Sequence, residues 1–119
     1  MEINQIAARL AELCREGKFE TAQKELFSKN AVSIEPEATP AFAKETRGLD
    51  AIIEKGHKWD NMVQAVHTLS VSEPLVAANS FACKLHMDIT MEERGRMDIT
   101  ELCVYEVKDG KIVSEQFYM

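Results

Sequence analysis

The chain has 119 residues, 45% of them hydrophobic, and a net charge of −6 from 20 acidic and 14 basic side chains. That balance leaves no basic stripe, which excludes nucleic acid and an anionic membrane surface as expected partners. The length predicts one domain over residues 1–119 with a core that needs no disulfide or metal. No apolar run approaches a membrane span, and Met1-Glu2-Ile3-Asn4 lacks the basic start and apolar stretch of a signal peptide, so a cytosolic protein is expected.

The first element is helical. Ile3, Ile6, Ala7, Leu10, Leu13 and Cys14 recur on one helix face, and Gly17 is a natural stop. A second amphipathic segment buries Phe19, Ala22, Leu26 and Phe27. Val32-Ser33-Ile34-Glu35 alternates as a short strand that Pro36 closes, and 36–48 read as a loop. A third helix is expected from Asp50, as N-cap, to Val63, with Ile52, Ile53, Trp59 and Val63 inward. From Val66 the period changes to two. Strands are predicted over Val66–Ser72, Val76–Thr90, Arg96–Val107 and Lys111–Tyr118, with turns at Glu92–Gly95 and Lys108-Asp109-Gly110. Helices followed by an antiparallel meander make an α+β fold.

Hairpin arithmetic sorts these strands into faces. If Glu93-Arg94 is a two-residue turn, His86 lies opposite Glu101 and Lys84 opposite Cys103. Lys84, His86, Asp88, Glu101, Cys103 and Tyr105 then share a polar face, and Cys83, Leu85, Met87, Leu102 and Val104 an apolar one. An odd-length turn exchanges these partners. The polar face either lies in water or curves around a cavity, in which case the apolar face meets a second subunit. The last strand is open in the same way. A two-residue Asp109-Gly110 turn turns Ser114, Gln116 and Tyr118 to the polar face, whereas a three-residue loop with Gly110 in a bulge turns Glu115 and Phe117 there.

The three cysteines, Cys14, Cys83 and Cys103, form no CxxC, and His57, His67 and His86 have no HxH or HxxE spacing. Buried free thiols, no metal and no cofactor are the expectation.

Three stretches resemble the SnoaL-like and ketosteroid-isomerase-like proteins of the nuclear transport factor 2-like superfamily. They are Leu26–Pro36, Gly48–Ile52 and Glu101–Val113. The resemblance implies a cone-shaped, cystatin-like α+β fold, with N-terminal helices packed on a curved, mostly antiparallel sheet around a pocket. It further implies a homodimer through the back of the sheet and an unidentified small molecule as ligand. The isomerases' general base corresponds to Glu35, while their two oxyanion donors correspond to Leu10 and Cys103, neither a strong donor. The positions used by epoxide-hydrolase-like members hold Lys84, His86 and Phe117. An acid–histidine pair of the cyclase kind would be His86 with Glu101. The family register of the last strand favours Glu115 and Phe117 in the cavity, where Glu35, Glu101 and Glu115 would repel until one binds a proton. The resulting expectation is a catalytic set of Glu35, His86 and Glu101, with Ser33, Trp59, Lys84, Asp88, Cys103, Tyr105, Glu115 and Phe117 around the ligand. Acid–base chemistry as a lyase, isomerase or cyclase is one outcome, and a non-catalytic binding module is the other.

Overall fold

A computed structural model describes residues 1–119. Three helices, α1 (Ile3–Arg15), α2 (Phe19–Leu26) and α3 (Leu49–Met62), cover one face of a curved, unclosed mixed sheet. Its strands are β1 (Phe27–Ile34), β2 (Glu45–Arg47), β3 (Val63–Val71), β4 (Leu75–Ala77), β5 (Ser80–Met91), β6 (Gly95–Lys108) and β7 (Lys111–Tyr118). The order is β2-β1-β7-β6-β5-β3, with β4 folded against β5; β1 and β7 run parallel and the other pairs are antiparallel.

The helices follow their apolar stripes. Ile6, Ala7, Leu10, Ala11, Leu13 and Cys14 of α1 are buried. A capping box of Glu2 with Gln5 starts this helix. At its other end Gly17 takes φ 74°, and its N–H and that of Lys18 donate to the Cys14 and Leu13 carbonyls. On α3 the turn into the helix is made by Gly48 (φ 94°), and Asp50 falls inside the first turn rather than at the cap.

Several boundaries differ from the sequence reading. Phe27 ends no helix but opens β1, which is twice the expected length. Glu45–Arg47 of the expected 36–48 loop add a strand to β1. The long strand from Val76 breaks at Ala78 (φ 54°) and Asn79, so that β4 doubles back on β5 with Ala77 opposite Ser80.

Two hairpins set the faces of the sheet. Between β5 and β6 the loop has three residues, Glu92-Glu93-Arg94, and Gly95 at φ 75° pairs with Met91. This is the odd length that reverses the faces expected from a two-residue turn. Leu85 therefore faces Glu101, Cys83 faces Cys103 and Phe81 faces Tyr105. Between β6 and β7 the turn has two residues, Asp109 (φ 53°) and Gly110 (φ 75°), but Val113 is an extra residue that shifts the pairing immediately afterwards. Tyr105 then faces Glu115 and Cys103 faces Phe117. The turn is thus the first alternative and the faces are the second, reconciled by the bulge. Across the concave side one row reads Phe81, Tyr105, Glu115 and Ser33, and the next Cys83, Cys103 and Phe117.

The main core joins α1, Ala22 and Leu26 of α2, Ile52 of α3 and the inner residues of β1, β5, β6 and β7. Ile52 is the one buried residue of α3, fully enclosed. Ile52→Ala should therefore lower unfolding stability by about 2–5 kcal/mol, the usual range for emptying such a site, as read from the denaturant midpoint.

Candidate functional site

The concave face of the sheet and the three helices enclose a cavity of about 350 Å³. Its walls are mostly apolar, with Leu10, Phe19, Ile52, Trp59, Leu85, Met87, Ile99 and Phe117 among them; Phe42 of the 36–44 loop leans on Trp59 at 6.4 Å between ring centroids. Five carboxyls line this space: Glu35, Glu101 and Glu115 from the sheet side, and Glu20 of α2 and Asp60 of α3 from the helices.

The carboxyls are held in different ways. Glu35 follows β1, and its Oε2 accepts from the Lys55 ammonium at 3.0 Å. The same ammonium donates to Ser33 Oγ at 2.6 Å, and Ser33 Oγ donates to Glu115 Oε2 at 2.6 Å. Ser33 and Glu115 are neighbours across the parallel β1–β7 pair and so point to one side. Both are buried. Burial pushes the Glu115 carboxyl up, against the Ser33 hydrogen bond and the Lys55 charge. Glu101, on β6, has only a thiol for a partner: Cys103 Sγ donates to its Oε1 at 3.8 Å. Burial first, then the charges of Glu35 and Glu115, raise its pKa to about 7. The three cysteines are free and buried. Burial pushes the Cys14 thiol up to about 12 and holds Cys83 and Cys103 high as well, as expected of inert thiols.

Of the residues singled out from sequence, Glu35, Glu101, Glu115, Trp59, Cys103, Tyr105 and Phe117 line the cavity. Tyr105 is buried against Phe81, with which it stacks at 4.8 Å. Ser33 sits behind the wall, closed off from the space by its own hydrogen bonds. The expected polar face does not hold together. Lys84, His86 and Asp88 lie on the outer side of the sheet, because the three-residue loop shifts every β5–β6 partner by one. His86 faces Thr100, not Glu101, and bonds Asp98 at 2.7 Å; Asp88 pairs with Arg96 at 2.8 Å. For the same reason Cys83, Leu85 and Met87 of the expected dimer face turn into the cavity, while Leu102 and Val104 stay outside.

Lys55 is the residue that the sequence reading missed. It lies three positions after Ile52 and four before Trp59, on the stripe that faces the sheet, and that spacing is the signal that could have found it. No three His, Cys, Asp or Glu side chains are grouped to hold a metal ion, and no helix is long and apolar enough to cross a membrane.

The profile of the SnoaL-like domain family matches residues 1–119. Among solved structures, a SnoaL-like polyketide cyclase candidate from Mesorhizobium loti is 31% identical, with 100% of both chains covered and a TM-score of 0.93. TerC, co-crystallised with polyporic acid, is 15% identical, with 98% of this chain and 91% of that chain covered and a TM-score of 0.76. A protein of ketosteroid isomerase-like fold from Catenulispora acidiphila, in complex with trimethylamine, is 15% identical, with 97% and 85% covered and a TM-score of 0.69. The last two likenesses are of fold. No curated protein matches the chain.

The raised Glu101 carboxyl makes stability depend on pH. Its pKa is about 7 in the folded chain and 4.5 as the ordinary value, so the folded state binds the proton more tightly than the unfolded one. Its contribution is complete below pH 4.5 and is lost as pH rises to 7, by about 3 kcal/mol over the interval. Glu101→Gln keeps the neutral shape and cannot ionise. Urea titrations of wild type and variant should agree near pH 4.5, and the variant should be the more stable of the two above pH 7.

Proposed function

The chain belongs to the SnoaL-like domain family, and from that premise we propose that its cavity carries out acid–base chemistry on a small, largely apolar molecule. The reaction is an isomerisation, elimination or cyclisation in which Glu35 takes a proton and Glu101 gives one. One observation carries this reading: two carboxyls in a single apolar-walled space stand in opposite electrostatic settings. Glu35 is paired with an ammonium at 3.0 Å. Glu101 has no cation within hydrogen-bond distance and keeps its proton up to about pH 7. Divergent environments of this kind assign base and acid in a carboxyl pair. Trp59, Phe42 and Phe117 offer flat apolar walls that suit a ring-bearing, polyketide-like substrate. The polyporic acid and trimethylamine held by proteins of the same fold support a small molecule as the occupant. His86, on the outer face, has no part in this reading.

The second reading is a binding module without chemistry. It is favoured by Leu10 and Cys103, which stand where the isomerases carry strong donors to a developing enolate, and by the nearly complete burial of both.

Exchange of carbon-bound hydrogens in D2O, followed by NMR over a panel of cyclic and aromatic ketones, separates the two. On the first reading Glu35→Gln slows exchange by about 10²–10⁴-fold and leaves the fold intact. A bound ketone that exchanges no faster with the wild-type protein than in buffer alone rules this reading out and leaves the second.

We also propose that two copies associate through the outer face of β6 and β7, where Leu102 is 45% exposed beside Tyr118 and near Val104. Sedimentation at micromolar concentration should give a dimer for wild type and a monomer for Leu102→Lys.

A further inference from the structure

Lys55 enters the cavity wall with only 16% of its side chain exposed. Its ammonium has three donors. One goes to Glu35 Oε2 and one to Ser33 Oγ, and the nitrogen sits 5.7 Å from the centroid of the Phe117 ring. These contacts occupy it, so it is not a free cation waiting for an anionic ligand. The serine hydroxyl has one proton. Because it accepts from Lys55, that proton is directed to Glu115, at 2.6 Å. Two of the three sheet-side carboxyls are therefore tied to one ammonium, the first directly and the second through a hydroxyl. The third, Glu101, receives only the Cys103 thiol.

We propose that Lys55 is the positioning residue that divides the roles of the carboxyls, holding Glu35 directly and Glu115 through Ser33 so that Glu101 alone is left to carry the site's proton. The inference rests on the acid–base reading for its catalytic meaning, but the division of charge itself is independent of any substrate. The ionisable groups that face Glu101 are Cys103 of its own strand, Glu115 of β7, Glu35 after β1 and Lys55 of α3. Around the same cavity lie Glu20 of α2, His57 and Asp60 of α3 and Arg94 of the β5–β6 loop; His57 is taken up by Glu20 and Glu54. Among them Lys55 is the one cation whose charge reaches Glu101, and it acts to ionise it. Removing that charge releases the hold on Glu35 and, through Ser33, on Glu115, so the proton is no longer confined to Glu101 and Glu115 competes for it.

The test is an NMR pH titration of the full chain, with glutamate side chains labelled with carbon-13 and assigned by single Glu→Gln changes, in wild type, Lys55→Met, Lys55→Arg and Ser33→Ala. Lys55→Met should move the Glu115 midpoint upward by about one pH unit, a tenfold tighter proton. Lys55→Arg, which restores the charge, should bring it back towards wild type. Ser33→Ala should raise the Glu115 midpoint and leave that of Glu101 in place. A folded Lys55→Met variant with an unmoved Glu115 midpoint overturns the proposal. If Lys55→Met does not fold, an unmoved Glu115 midpoint in Ser33→Ala overturns it. Because no substrate is present, shifted titrations in a protein that exchanges no ketone hydrogens would leave the role of Lys55 standing and remove only the acid–base reading.

Discussion

Side chains alternate along a strand, so each hairpin that includes β6 has only two outcomes for the cavity. An even β5–β6 loop would set Glu101, Cys103 and Tyr105 opposite the wrong residues of β5. An unbulged β7 would send Glu115 and Phe117 to the outer face. The three-residue loop with Gly95 and the extra residue at Val113 fix both parities together. Every feature of the site follows from that choice: the row that joins Tyr105, Glu115 and Ser33, the exposure of Glu101 to the two other carboxyls, and the apolar floor made by β5. The helices only close over a surface that the turns have already selected.

Three carboxyls in an apolar enclosure would be untenable without compensation, since each anion loses its hydration there. The compensation is economical. One ammonium and one hydroxyl serve two of the acids, the third stays protonated near neutrality, and no buried side-chain nitrogen or oxygen is left without a partner. The exposed ion pairs elsewhere, such as Arg9 with Glu25 and Arg96 with Asp88, are solvated and matter little to stability by comparison. Charge is thus organised where water is scarce.

Much of this architecture was legible in the sequence, and the exceptions share a cause. The helical stripes, the Asp109-Gly110 turn and the helix-then-meander order are local signals, written in side chains a few residues apart. The position of Glu35 before Pro36, and the inward set of Glu115 and Phe117, came from resemblance to known proteins. What local signals did not give was parity. Glu92-Glu93-Arg94 carries no residue that distinguishes a two- from a three-residue loop, and the clue was the glycine that follows, Gly95, the residue type suited to the left-handed position it takes. That ambiguity moved Lys84, His86 and Asp88 to the wrong side. β2 was missed because three residues beside a proline-containing loop show no period, and the β4–β5 break because Ala78-Asn79 is a weak turn pair. Lys55 was overlooked because a lysine on an apolar helical stripe is ordinarily a side chain reaching for water, and only the carboxyls on the facing strands reverse that expectation.

The parallel pairing of β1 with β7 carries a consequence for the order of assembly. Ser33 and Glu115 are 82 residues apart, and closing a loop of that length costs about 4 kcal/mol in chain entropy before any contact repays it. β1 and β2 touch the rest of the sheet only through β7, so until the final strand is laid down the Glu35 side of the sheet has no strand ladder to the Glu101 side. Before that pairing, Ser33 has no neighbour in Glu115, and the row that joins β1 to β7 is incomplete. Closing the sheet and assembling the cavity therefore depend on the same long-range pairing, the kind that is slowest to form, and β7 is the strand that makes it.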